Sequence, residues 1–103
     1  MRTVRITDSA AAYLRAERAY LARFDRRAAL AMVARLRDAM RVLADYPEAG
    51  RRHLPMRGVY RYIAAPYVVD YAFSDTEIVV LAIRHGRQDE PSPEPDDGLD
   101  DEA

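Results

Sequence analysis

The sequence lacks several residue types on which whole classes of protein depend. None of its 103 residues is cysteine, so neither a disulfide framework nor a thiolate metal site can form. Its two histidines, His53 and His85, do not have the spacing of a zinc motif, and we expect no metal and no cofactor. The longest apolar run, residues 28–34, is too short to span a bilayer, and the N-terminus lacks the apolar core of a signal peptide. We therefore expect a cytoplasmic protein with no membrane segment.

Lysine is absent too, and the charges divide unevenly along the chain. Residues 1–88 carry 16 arginines against nine acids, a net charge of +7, whereas residues 89–103 carry eight acids and no base. Arginine binds phosphate and carboxylate groups through a planar set of donors and does not deprotonate near neutral pH. The bases of this chain can therefore hold negative charge but cannot easily move protons. A cationic body attracts nucleic acids or acidic proteins without specifying either.

The first half of the chain predicts one strand and two helices. "TVRIT" alternates apolar and polar residues, which indicates a short strand. Asp8 or Ser9 is expected to cap the first helix, and Asp25 the second, which "DYP" ends. Almost no loop separates the helices, so they should form an antiparallel hairpin. The residues predicted to face the core are Ala10, Tyr13, Leu14, Tyr20, Leu21 and Phe24, then Ala29, Met32, Val33, Leu36, Met40 and Leu43.

The second half predicts three strands, at residues 59–64, 67–73 and 77–85, after an irregular segment that can hold a short strand around residues 52–54. Their connections are so short that neighbours must be antiparallel. The unbroken apolar run from Ile78 to Ile83 favours a central position for the last strand. The predicted fold is α+β, in the order β-α-α-β-β-β, with a small antiparallel sheet and the helical hairpin on one face. We place this domain at residues 1–89 and predict that residues 90–103 are a disordered acidic tail.

Three segments carry a resemblance to a known family. "LADYPEAGRRH" closes the second helix, "GVYRYIAAPYVVDYAF" forms a strand pair, and "IVVLAIRHGRQD" ends the last strand. In that order they are similar to patterns of the RelE/ParE superfamily of bacterial toxins from type II toxin–antitoxin systems. The "HGRQD" ending resembles the ParE-like branch. The resemblance covers about residues 3–89.

The resemblance implies a small growth-inhibiting toxin held inactive by a cognate antitoxin in a hetero-oligomer. The C-terminal segment of the antitoxin would wrap around the toxin. A cationic body with an open sheet edge suits an acidic, partly disordered peptide of this kind. ParE-like toxins act on DNA gyrase, whereas RelE-like toxins cut messenger RNA on the ribosome. The two branches therefore imply different targets and only one implies an enzyme.

The catalytic residues of the RelE branch are only partly matched here. The resemblance implies roles for Arg61 in "VYRYI" and for Arg87 after the last strand, but no aromatic residue follows Phe73 to match a C-terminal tyrosine. His85 can act as an acid or base, because an unperturbed imidazole titrates near pH 6.5. Alternatively, His85 only ends the strand and contacts a backbone group. The incomplete match favours a protein that is not an enzyme.

Arg61 has two interpretations that depend on strand register. If the "AP" turn pairs Ala64 with Tyr67, Arg61 lies opposite Asp70 in a cross-strand ion pair. A shift of one residue would release Arg61 to contact a target. The predicted hairpin carries four tyrosines, which either stack on nucleic acid bases or pack in the sheet. They are Tyr60, Tyr62, Tyr67 and Tyr71. The candidates for contact with target or antitoxin are Arg51, Arg52, Arg57, Arg61, Arg84 and Arg87.

Three functions follow from these features. The first is a ParE-like toxin that acts on DNA gyrase. The second is a RelE-like, ribosome-dependent ribonuclease that uses Arg61, Arg87 and possible assistance from His85. The third is a non-toxic binding module, in which the tethered acidic tail occupies the basic surface at high effective concentration. The alternative role for the tail is simply to keep the protein soluble.

Overall fold

The computed structural model describes residues 1–53 and 56–86. Two helices pack on one face of a five-stranded sheet, which confirms the predicted α+β fold. The elements are β1 (Thr3–Ile6), α1 (Asp8–Ala22), α2 (Arg26–Asp45), a 3₁₀ turn (Pro47–Ala49), β2 (Arg51–Arg52), β3 (Tyr60–Ala64), β4 (Tyr67–Phe73) and β5 (Glu77–His85). The predicted bounds of β4 and β5 are confirmed to the residue. Leu54, Arg87 and the acidic tail lie outside the described residues, so the domain boundary at residue 89 stays a prediction.

The sheet has the strand order β1-β5-β4-β3-β2. Strands β2 to β5 are antiparallel neighbours, as their short connections predict, and β5 holds the predicted interior position. The sheet as a whole is mixed, because β1 pairs in parallel with β5. Sequence patterns gave no signal for this pairing, since the partner of Val4 is Ile78, far away in the chain.

The helix caps follow from short side chains that accept backbone hydrogen bonds. Asp25 caps α2 as predicted, and its carboxylate accepts the N–H of Arg27 at 2.9 Å. The prediction for α1 was wrong by one or two residues. Thr7 is the cap, because its hydroxyl accepts a hydrogen bond from the N–H of Ala10 at 3.3 Å. Asp8 lies in the first turn, where its negative charge interacts favourably with the positive end of the helix dipole.

The core lies between the helical hairpin and one face of the sheet. All the residues predicted for the stripe of α2 lie there, and so do four of the six predicted for α1. The other two, Tyr20 and Phe24, are 53% and 70% exposed. Helical phase predicts the side on which a residue lies, but not whether another element covers it. The buried centre consists of Ala10, Met32, Leu36, Leu43, Tyr67, Val69, Tyr71, Ile78, Val80 and Ile83.

None of the described helices is long and apolar enough to cross a membrane. The face of the sheet opposite the helices has no second layer over it among the described residues. That open face, and the groove between the helices, are where side chains remain available to other molecules.

Candidate functional site

The β3–β4 hairpin brings charged side chains together on the open face of the sheet. Ala64 pairs with Tyr67, so the first of the two possible registers is correct and Arg61 lies opposite Asp70. The Nε of Arg61 donates to Oδ1 of Asp70 at 2.8 Å, and an Nη donates to Oδ2 at 3.2 Å. This two-point contact fixes the plane of the guanidinium.

A second arginine reaches the same carboxylate. An Nη of Arg84 lies 3.6 Å from Oδ2 of Asp70, and the three side chains are only 14–21% exposed. We call Arg61, Asp70 and Arg84 the Arg–Asp–Arg cluster. The formal charges of these three side chains sum to +1, at a site partly shielded from water.

Arg84 reaches this face because of a β-bulge. Asp70 pairs with Ala82 and Tyr71 with Val80, so Leu81 is an extra residue in β5. Side chains alternate between faces along a strand, and one extra residue inverts the alternation beyond it. Ile78 and Val80 face the helices before the bulge, whereas Ile83 does so after it. The bulge therefore places Arg84 on the open face and His85 on the helix-facing side.

His85 is consequently separated from Arg61, the residue with which it would share a catalytic site in the RelE-like alternative. It pairs with Tyr67 across the strands, and the two rings meet edge to face at 5.6 Å. Tyr67 donates its hydroxyl to Glu17 of α1 at 2.8 Å. Burial, together with this contact to a carboxylate, raises the pKa of Tyr67 well above its usual value. His85 thus belongs to the packing between α1 and the sheet.

The histidine beside Arg61 is instead His53, which lies in the segment predicted to be irregular and was assigned no functional role from the sequence. Its Nε2 lies 3.1 Å from an Nη of Arg61. The sequence signal for this position of His53 is the alternation of strand side chains between the two faces of the sheet in "RRH". Arg51 pairs directly with Arg61 and shares its face, and His53 lies two residues further along, with its N–H bound to Val59 at 2.8 Å.

These residues line an open groove of about 450 Å³ beside β2 and β3, which we call the basic groove. Arg51 and Arg61 lie directly opposite each other on neighbouring strands, where their like charges repel. This pairing therefore places two positive charges side by side in the groove. Arg52 also lines the groove, whereas Arg57 lies exposed in the turn before Gly58 and is not among its lining residues. The lining residues are Ala49, Gly50, Arg51, Arg52, His53, Arg61, Tyr62 and Ile63.

Tyr71 fastens one wall of the basic groove to the sheet. Its ring is fully buried, and its hydroxyl accepts the N–H of Gly50 at 2.9 Å and donates to the carbonyl of Pro47 at 2.6 Å. Burial raises the pKa of this hydroxyl, so it stays protonated and can do both. A Cβ on Gly50 would lie 2.7 Å from the carbonyl oxygen of Arg61, so only glycine fits. Tyr71 is therefore a packing residue and not a stacking surface for bases.

A second feature is a groove of about 370 Å³ between the helices and β1, which we call the apolar groove. Apolar side chains from three elements form most of its lining, and three arginines lie among them. Its apolar residues are Ile6, Leu14, Met32, Val33, Leu36 and Met40, and its arginines are Arg15, Arg18 and Arg37.

The chemistry of the basic groove is the binding of negative charge. Guanidiniums donate hydrogen bonds and stabilise anions but do not act as acids or bases near neutral pH. Across residues 1–53 and 56–86, no three His, Asp or Glu side chains come together in a way that could hold a metal ion. Arg87, the other predicted site residue, lies outside the described residues.

Comparison with known proteins agrees with this architecture. The sequence model of the ParE toxin of type II toxin–antitoxin system, parDE, matches residues 4–90. A solved structure described as the chromosomal ParDE TA system from P. aeruginosa superimposes with a TM-score of 0.70, at 23% identity over 82% of this chain and 96% of the other. A search of curated proteins found no match. The chain belongs to the ParE toxin family of type II toxin–antitoxin systems.

Proposed function

We propose that this chain is a cytoplasmic toxin that inhibits growth by binding DNA gyrase, and that an antitoxin with an acidic C-terminal segment neutralises it. The gyrase target is what the ParE-like resemblance implies. The observation that carries the binding mode is the pairing of Arg61 with Asp70. Metal-free RNA cleavage needs cations whose charge is available to the phosphate in the transition state, and Arg61 would be one of them in the RelE-like alternative. Because Asp70 already holds Arg61 at two points, this arrangement supports binding over cleavage.

The apolar groove supports the antitoxin as a partner. Its lining would lose contact with water on binding an apolar helix face or strand, and burial of apolar surface favours association. The three arginines would pair with acids that flank the apolar residues of the partner. An acidic, amphipathic segment fits this combination, whereas a nucleic acid fits less well, because it has no aliphatic side chains to fill the groove.

The target is tested with purified chain and DNA gyrase in a supercoiling assay. We expect wild-type protein to inhibit supercoiling, and an Arg51→Gln, Arg52→Gln variant to inhibit it less, because it loses two charges of the basic groove. Arg41→Gln is the matched control, since its exposed side chain lies on α2 and pairs with Asp38. Unchanged supercoiling at saturating wild-type protein would contradict the gyrase target.

Messenger integrity in translating ribosomes is measured in parallel. We expect messages to remain intact while growth stops. Site-specific cleavage that Arg61→Ala abolishes would instead establish the RelE-like ribonuclease function.

The antitoxin groove is tested by Val33→Glu, which adds a negative charge to the apolar lining. We expect the cognate antitoxin to bind this variant weakly and to fail to restore growth when the two are expressed together. Leu30→Glu is the matched control, because Leu30 is 57% exposed on the same helix and does not line the groove. Equal antitoxin affinity for both variants would refute this site.

A further inference from the structure

The tip of the helical hairpin carries two aromatic side chains that are more than half exposed. Tyr20 and Phe24 are 53% and 70% exposed, and their rings meet edge to face with centroids 5.1 Å apart. The guanidinium carbon of Arg23 lies 5.9 Å from the centroid of Tyr20 and 5.7 Å from that of Phe24. We call Tyr20, Arg23 and Phe24 the hairpin tip.

Packing within the domain does not account for the hairpin tip. The other large aromatic side chains of the sheet and of α1 lie in the core or against it. A side chain that stays more than half exposed gains only part of its burial energy on folding, and adjacent exposed rings are typical of surfaces that bind another molecule. The three residues hold one another through ring and cation–π contacts, which limits the side-chain entropy they would lose on binding.

The positive charge around the hairpin tip indicates that its partner carries negative charge. Residues 18–27 contain four arginines and a single acid, Asp25. The carboxylate of Asp25 already accepts a backbone hydrogen bond as the cap of α2. Arg23, Arg26 and Arg27 are all exposed, so the tip presents a cationic surface around an aromatic centre.

We propose that the hairpin tip docks into an acidic, apolar-centred surface of the protein that this toxin inhibits. Aromatic residues and arginine are the types enriched among the residues that dominate protein–protein binding energy. The tip is the convex end of a helical hairpin, which suits a pocket on a folded partner. A nucleic acid fits less well, because Arg23 lies over both rings where a base would stack. The proposal rests on the function proposed above, since it names a second toxin surface, besides the basic groove, that contacts the target.

The hairpin tip is also separate from the proposed antitoxin site. None of its three residues lines the apolar groove, whose nearest lining residue along α1 is Arg18. Variants of the tip should therefore affect the target and not the antitoxin. This separation allows the proposal to be tested in the full chain.

The test variant is Tyr20→Ser combined with Phe24→Ser. We expect its affinity for immobilised DNA gyrase to fall about 30-fold or more, the size typical of interface hot spots. Growth inhibition on induction should be lost, whereas affinity for the cognate antitoxin should be unchanged, which also shows that the variant is folded. Tyr46→Ser is the matched control, because Tyr46 is 68% exposed at the other end of α2. It should behave as wild type in all three assays.

Three results would overturn the proposal. Growth inhibition equal to wild type in the double variant shows that the target does not need the hairpin tip. A variant that loses affinity for a single-stranded oligonucleotide but not for protein assigns the tip to nucleic acid. Wild-type protein that is dimeric in solution, with a monomeric but still toxic variant, assigns the tip to self-association.

The gyrase target can fail while the hairpin tip stands. If wild-type protein arrests growth without binding gyrase and the double variant does not arrest growth, the gyrase target is wrong and the tip still contacts the true target. If wild-type protein leaves growth unchanged, both proposals fail.

Discussion

Removing the hydroxyl of Tyr71 tests whether the segment after α2 is fastened to the sheet as the structure shows. Tyr71→Phe keeps the fully buried ring in place and deletes only the oxygen. That oxygen makes two hydrogen bonds, from the N–H of Gly50 at 2.9 Å and to the carbonyl of Pro47 at 2.6 Å. The substitution therefore removes one shared partner from two backbone groups without opening a large cavity.

The magnitude follows from what the two groups lose. A buried donor or acceptor left without a partner costs about 1–3 kcal/mol. Gly50 and Pro47 are half-buried, so water can reach them in part, and the cost should lie near the lower end for each. We expect the free energy of unfolding to fall by about 2 kcal/mol, which sums two costs of about 1 kcal/mol each.

Urea denaturation followed by circular dichroism measures this loss. For a domain of this size the slope is about 1–3 kcal/mol per molar urea, so the midpoint should move down by about 1 M. Tyr46→Phe is the control, because it also removes a tyrosine hydroxyl, from a side chain that is 68% exposed. Equal midpoints for the two variants would refute the proposed fastening of Gly50 to the sheet.

Three further predictions follow from the charges and tyrosines. Asp70→Asn removes the carboxylate that Arg61 and Arg84 share, and we expect the free energy of unfolding, measured by urea denaturation, to fall by about 1–3 kcal/mol. High salt should recover part of this loss, because it screens the repulsion between the two guanidiniums, and an unchanged free energy of unfolding would contradict the Arg–Asp–Arg cluster. The pKa of Tyr67 is raised in the folded state, so its hydroxyl stays protonated there at a pH at which the unfolded chain loses the proton. The free energy of unfolding therefore keeps its full value below about pH 10 and falls as the pH rises further. Tyr67→Phe should make this fall less steep by about 1.4 kcal/mol per pH unit, and an unchanged pH dependence would refute the raised pKa. If the acidic tail occupies the basic surface, truncation after Asp89 should increase gyrase affinity and toxicity most at low salt, whereas no change in either would rule out this autoinhibition.

The local pattern of apolar and polar residues was sufficient to predict a helix or strand wherever one face of that element is buried. The 3.6-residue period of α2 predicted its buried stripe correctly, because each residue of the stripe lies in the core or packs against it. The bounds of β4 and β5 followed from β-branched and aromatic runs bounded by turn residues. The "AP" turn allowed two registers, and the structure has the one that pairs Arg61 with Asp70.

Contacts between distant segments could not be read in this way. The parallel pairing of β1 with β5 joins residues more than 70 positions apart, and nothing local in "TVRIT" specifies it. Tyr20 and Phe24 have the correct phase for the core, yet more than half of each side chain stays exposed among the described residues. His53 reaches Arg61 only because β2 pairs with β3.

The sequence by itself determined the order of the elements, the family and the cationic character of the body. Only the tertiary structure decided which charged side chains meet. The physical reason is most direct in β5, where the run from Ile78 to Ile83 is apolar throughout and so carries no alternation from which to assign faces. The bulge at Leu81 inverts the faces, directing Arg84 to Asp70 and His85 to Tyr67. A single extra residue in β5 thus separates Arg61 from His85, the two candidates for a shared catalytic site in the RelE-like alternative.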